Sequence, residues 1–145
     1  MAHKVEELPV YQAAQKLWCA VHAILQRAAL YRDRRLHDQI SDANDSITSN
    51  ISEGFDQSSD AALSSYLYHA KGSLAEVRTR LGTARQKNYI TREELDHCLN
   101  LAETVGRQLG GFIKYLAKSD FKDRGRFKAR NRDEGLKDEG LKDEG

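Results

Sequence analysis

Ile40, Ala43, Ile47 and Ile51 recur at steps of three and four residues, which puts them on one apolar stripe of a helix. The same period returns in three other stretches, and this repetition constrains the fold more than any other feature. Val10, Ala14, Leu17, Val21, Ile24 and Ala28 make one stripe, widened by Trp18 and Leu25. Leu63, Tyr66, Leu67, Ala70, Leu74, Val77, Leu81 and Ala84 make another, and Leu95, Cys98, Leu99, Ala102, Val105, Leu109, Phe112 and Leu116 the last. Stripes this wide are faces that close round a shared core rather than narrow coiled-coil seams. The stretches between them are short, so successive helices return antiparallel. The fold class that follows is all-α, an antiparallel up-down-up-down four-helix bundle over residues 1–117.

Local signals set the boundaries. Pro9 opens the first helix, where its missing N–H is harmless, and the helix runs to about Ala29. Tyr31 to Arg34 connects to a second helix from about Arg35 to Glu53. Gly54 is read as the left-handed residue that closes it. Asn50 stands beside its stripe, in line with Leu36 and Ala43, where a polar side chain weakens packing but fixes register. Ser58 or Ser59 caps a third helix that runs to about Lys87, with Asp60 well placed in its first turn. Asn88, Tyr89 and Ile90 turn the chain. Thr91 and Glu94 form a capping box for a fourth helix ending near Ala117. Gly72 and Ser73, and again Gly106, Gly110 and Gly111, interrupt helices with small residues. Each such glycine costs about 1 kcal/mol against Ala, so close approach by another backbone is expected there, between subunits in the second case.

The composition changes after Ala117. Residues 118–132 form a basic C-terminal segment of seven bases against two acids, whereas residues 133–145 hold six acids and two lysines. That last stretch repeats Leu-Lys-Asp-Glu-Gly, which cannot bury a core, and is expected to be a disordered polar tail. The whole chain carries a formal charge of +1, so any electrostatic binding must come from local patches. Cys19 and Cys98 are expected as two buried free thiols in a reducing cytoplasm. No signal-peptide pattern and no apolar run near the ~20 residues of a membrane span are present.

No catalytic constellation stands out, so the chain is expected not to be an enzyme and to need no cofactor. His22, His37, His69 and His97 are spread over four helices, whereas a metal site needs converging ligands. The glycines lack the preceding strand and the Gly-Lys-Ser or Gly-Lys-Thr end of a phosphate loop.

Two motifs carry a resemblance. Ser46-Ile-x-x-Asn50-Ile-x-Glu53-Gly54-Phe55, followed by Tyr66-Leu-x-x-Ala70-Lys-Gly72-Ser73-Leu74-x-Glu76, resembles the four-helix-bundle family encoded in intervening sequences of bacterial 23S ribosomal RNA genes. With the flanking helices the likeness covers about residues 8–117. The stretch from Val105 to Lys114 is also similar to the related accessory variability protein of diversity-generating retroelements, a bundle that works beside a reverse transcriptase. These resemblances imply a ring-shaped homopentamer without enzymatic activity, with a basic surface suited to nucleic acid. The chain departs from the family pattern after Gln39-Ile40, where Ser41 and Asp42 replace two arginines. It departs again after Phe55, where Asp56, Gln57 and Ser58 replace a basic stretch.

The up-down order gathers Arg27, Arg32, Arg34, Arg35, Arg85, Lys87 and Arg92 at one pole, among Asp33, Asp38, Glu93 and Glu94. Glu6, Glu7, Glu53, Asp56 and Asp60 fall at the other. Complementation of helix dipoles accounts for Arg85, Lys87 and Asp60. It does not account for Arg34 and Arg35 at a helix start or Glu53 at a helix end. RNA or an RNA–DNA hybrid is expected to meet the basic pole, with Lys122, Arg124, Arg126, Lys128 and Arg130 as a flexible second contact. Asn50 and Glu53 make either a hydrogen-bonded helix end or a surface for docking a partner. The functional expectation is an oligomeric adaptor of the ribosomal-RNA intervening-sequence type. The alternatives are an accessory subunit of a reverse transcriptase and a purely structural oligomer.

Overall fold

The computed structural model describes residues 4–134, with side-chain surroundings for residues 4–118. One 3-10 turn, Val5–Glu7, precedes five α-helices: α1 (Pro9–Ile24), α2 (Ala28–Arg32), α3 (Arg34–Phe55), α4 (Asp60–Gln86) and α5 (Arg92–Glu134). The fold is all-α, with no strand among the described residues. α3 packs along α1 and α4, and α5 closes the circuit by packing along α4 and α1. The four expected stripes meet in one apolar core, in which Leu17, Val21, Ile40, Ile47, Leu67, Val77, Leu81 and Leu109 are fully enclosed.

The caps follow ordinary helix chemistry. Ser59 accepts a hydrogen bond from the Ala62 N–H at 3.1 Å and starts α4. Thr91 Oγ1 accepts from the Glu94 N–H at 3.0 Å while Glu94 Oε1 accepts from the Thr91 N–H at 2.8 Å, so the capping box is made in both directions. Asn88 takes φ 62°, the left-handed conformation that ends α4. Beside it, the Tyr89 and Asn88 N–H groups bond back to the Ala84 and Arg85 carbonyls, each at 2.9 Å.

Several boundaries differ from the sequence-based reading. The first helix does not run on to Ala29: it ends at Ile24, the chain breaks helix over Leu25–Arg27, and α2 begins at Ala28. On a continuous helix, Leu30 would face away from Val10, Ala14, Leu17, Val21 and Ile24. The break re-aims it, and Leu30 is wholly buried while Ala28 is exposed. Gly54 lies inside α3 and is buried; the left-handed residue among the non-glycines is Asn88. A Cβ on Gly54 would fall 2.8 Å from Tyr66 Cβ and 3.0 Å from Leu63 Cδ1, so this glycine is needed for close contact of α3 with α4. Among the described residues, no other element comes within 4 Å of a Cβ placed on Gly72, Gly110 or Gly111, so no second backbone of this chain approaches them. Cys98 is buried as expected, but Cys19 is exposed.

The last helix passes Ala117 and continues to Glu134, so the backbone of the basic segment is helical. The expected disordered tail, 133–145, lies outside the described residues except for Asp133 and Glu134, which end α5. No helix among the described residues is long and apolar enough to cross a membrane.

Candidate nucleic-acid interface

The short connections between helices bring the α2–α3 junction against the α4–α5 junction, and Asp33 ties the two. It sits at the N-cap of α3, where its Oδ1 accepts from the Leu36 N–H at 3.2 Å. Its Oδ2 accepts from Lys87 Nζ at 3.0 Å and from the Tyr89 hydroxyl at 2.9 Å. The Lys87 hydrogen bond, then those from Tyr89 and Leu36, hold the Asp33 carboxyl below its usual range. The same carboxylate raises the Lys87 ammonium and the Tyr89 phenol. A second tie crosses from the α1–α2 break to α5: Arg27 Nη1 donates to Glu94 Oε2 at 2.6 Å. Partial burial works to raise Glu94, but the Thr91 N–H and the Arg27 charge outweigh it, and its carboxyl ends below the usual range.

These contacts sort the basic residues predicted for this pole. Arg27 and Lys87 are held by acids on other elements. Arg92 lies 4.0 Å from Asp96 on its own helix. Arg85 Nη1 donates to the Ile90 carbonyl at 3.2 Å and braces the turn. Arg34 is 3.4 Å from Asp38, and its guanidinium lies over the Tyr31 ring at 4.8 Å. Arg32 and Arg35 are exposed and pair with no acid among the described residues. The predicted bases of this pole are therefore mostly held by partners, with Arg32 and Arg35 the exceptions among them.

The C-terminal bases do not join this cluster. Arg92 opens α5 at the junction end, and Lys118 lies 26 residues further along the same helix, roughly 40 Å away at 1.5 Å per residue. The backbone of this segment continues α5 away from the junction end. The side chains of Lys122, Arg124, Arg126, Lys128 and Arg130 lie outside the described residues.

The motif residues form a polar seam between α3 and α4. Asn50 Nδ2 donates to the Ser46 carbonyl at 2.8 Å and to Ser46 Oγ at 2.9 Å, and Ser73 Oγ on α4 donates to the same Ser46 Oγ at 2.8 Å. Glu76 lies 3.9 Å from Arg80 on its own helix. Glu53 is exposed, and its backbone carbonyl accepts from Gln57 Nε2 at 3.0 Å. The more deeply buried polar residue of α3 is Asn44, at 2% exposure, rather than Asn50. Asn44 Nδ2 donates to the Trp18 carbonyl at 3.2 Å, and Trp18 Nε1 donates to Asp45 Oδ1 at 2.7 Å, which locks α1 to α3. The sequence held the signal, since Asn44 stands four residues after Ile40 and three before Ile47, in the middle of the stripe.

A family model for the 23S rRNA-intervening sequence protein matches residues 6–111. The chain belongs to that family. The match runs from the 3-10 turn into the first half of α5, so both the Asp33 junction and the Asn50–Ser46–Ser73 seam of this family member lie inside it. The basic segment from Lys118 onward lies beyond it. No curated protein matches the chain.

Burial, aided by the Glu94 charge, pushes the Cys98 thiol up to about 11, which keeps it protonated and unreactive. No group of three His, Cys, Asp or Glu side chains converges as metal ligands among the described residues.

Proposed function

We propose that this family member is a non-enzymatic, up-down-up-down four-helix bundle that assembles with copies of itself and binds RNA through the junction end. The observation that carries this reading is the pair Arg32 and Arg35: two exposed guanidiniums at one end of the molecule, neither in an ion pair among the described residues. Arg34 stands between them, turned onto Tyr31. Arg27, Lys87 and Arg92 are offset by Glu94, Asp33 and Asp96, so the surplus charge of one subunit is small. A ring of like-oriented subunits, a homopentamer by family resemblance, repeats that surplus round one face, and linked weak sites gain strength from effective concentration. The family's description names the 23S rRNA intervening sequence and no ligand, so the charge at the junction end carries the choice of RNA. The cytoplasm, where both free thiols stay reduced, is the proposed compartment.

The test is electrophoretic mobility of RNA, and of an RNA–DNA hybrid, across a salt series. Affinity is expected to fall linearly on logarithmic axes, by about 0.7 in slope per phosphate contact on a single strand. Arg32→Glu with Arg35→Glu is expected to weaken binding and flatten the slope. Binding that ignores salt, or that the double variant retains in full, would contradict the proposal.

A further inference from the structure

Tyr31 is one of two large apolar side chains left exposed among the described residues, with 54% of its surface open. Its position follows from the helix break. α2 aims Leu30 into the core, and the next residue along is turned outward. The ring is nonetheless held in place. The Arg34 guanidinium lies over it at 4.8 Å from the centroid, and the His37 ring meets it near-perpendicularly, at 72° and 5.3 Å between centroids. His37 is itself fixed, with Nδ1 3.0 Å from Asp38 Oδ1. Arg32 and Arg35 follow this ring one and four residues on, exposed and without acid partners among the described residues.

We infer that Tyr31 is a stacking platform for an unpaired nucleobase, so that the junction end selects single-stranded over duplex RNA. This rests on the RNA-binding reading above and adds the class of RNA. An exposed aromatic ring braced by an arginine, with two further guanidiniums within the next turn of chain, matches both parts of an unpaired nucleotide. The base stacks on the ring or on the guanidinium plane, and the phosphates on either side meet Arg32 and Arg35. A duplex offers the phosphates but keeps its base faces inside the stack, so it gains only the electrostatic part. The ring needs little ordering on binding, because Arg34 and His37 already position it.

The experiment is fluorescence polarisation of a labelled unstructured RNA and of the same strand annealed to its complement, with the full chain, over a salt series. Wild type is expected to bind the single strand at least about tenfold more tightly than the duplex. Tyr31→Ala is expected to lose about 5- to 100-fold on the single strand and little on the duplex. Tyr31→Phe, which keeps the ring, is expected to bind the single strand like wild type. Helical circular dichroism and melting confirm that each variant is folded. Equal affinity of Tyr31→Ala and wild type for the single strand, with salt dependence and the loss in the Arg32→Glu, Arg35→Glu variant intact, overturns the stacking inference alone. Absence of salt-dependent binding to either RNA overturns both it and the RNA-binding reading.

Discussion

Gly54 shows how one residue type answers to two physical causes. A glycine after a helical stripe reads as a left-handed terminus, yet the chain uses it for space: a Cβ there would meet Tyr66 Cβ at 2.8 Å. Both atoms are fixed to backbone, so relief requires α3 and α4 to part. Gly54→Ala is expected to lower stability by about 1–3 kcal/mol from overpacking, against a helix-propensity gain of about 1 kcal/mol. Thermal melting should show a midpoint a few degrees lower; an unchanged or higher midpoint would mean the helices separate freely. The sequence showed that a glycine was required here but not why, because the contact comes from a residue on another helix. Asp33 was legible only as a charge in a connection, since its partners Lys87 and Tyr89 lie 54 and 56 residues on. Its folded-state carboxyl lies below the ordinary 3.8, so the stability it contributes is present above that value and is lost as pH falls through the lower, folded one. The melting-point gap between wild type and Asp33→Asn, which keeps the cap, should be full at neutral pH and shrink only below about pH 4. A gap that stays constant down to pH 2 would contradict the ion-pair account.

At the scale of elements, helix type and packing faces were readable from period alone, while helix continuity was not. Every stripe on α1, α3, α4 and α5 supplies residues to the core. The break at Leu25–Arg27 escaped because neither proline nor glycine marks it. The one clue was Leu30, an apolar residue on the wrong face of a continuous helix. Leu30→Ala is expected to cost about 2–5 kcal/mol in chemical denaturation, the range for emptying a packed leucine site. A loss under about 0.5 kcal/mol, as for a surface change, would mean the helix runs straight and leaves Leu30 in solvent. The opposite misreading occurred at α5. A charge-rich composition ended the predicted helix near Ala117, although Lys, Arg and Glu are themselves good helix formers. The backbone carries on to Glu134.

At the scale of the molecule, the family and the all-helical fold were legible, whereas the strength of the basic pole was not, because ion pairs form across elements distant in sequence. Arg27, Arg34, Lys87 and Arg92 each have an acid at 4.0 Å or less and Arg85 is tied to the Ile90 carbonyl, which leaves Arg32 and Arg35 as the guanidiniums without a partner at the junction end. Two guanidiniums make a weak RNA site on one subunit, so the proposed function requires assembly. A Cβ added at Gly110 or Gly111 meets no other element among the described residues, and this part of α5 is where copies are proposed to join. The most direct test is the molar mass of the full chain in solution, by light scattering at physiological salt with and without RNA. The account predicts a closed oligomer near five times the 16.4 kDa chain mass, gaining mass when RNA is added. A 16.4 kDa monomer whose mass RNA leaves unchanged would contradict it.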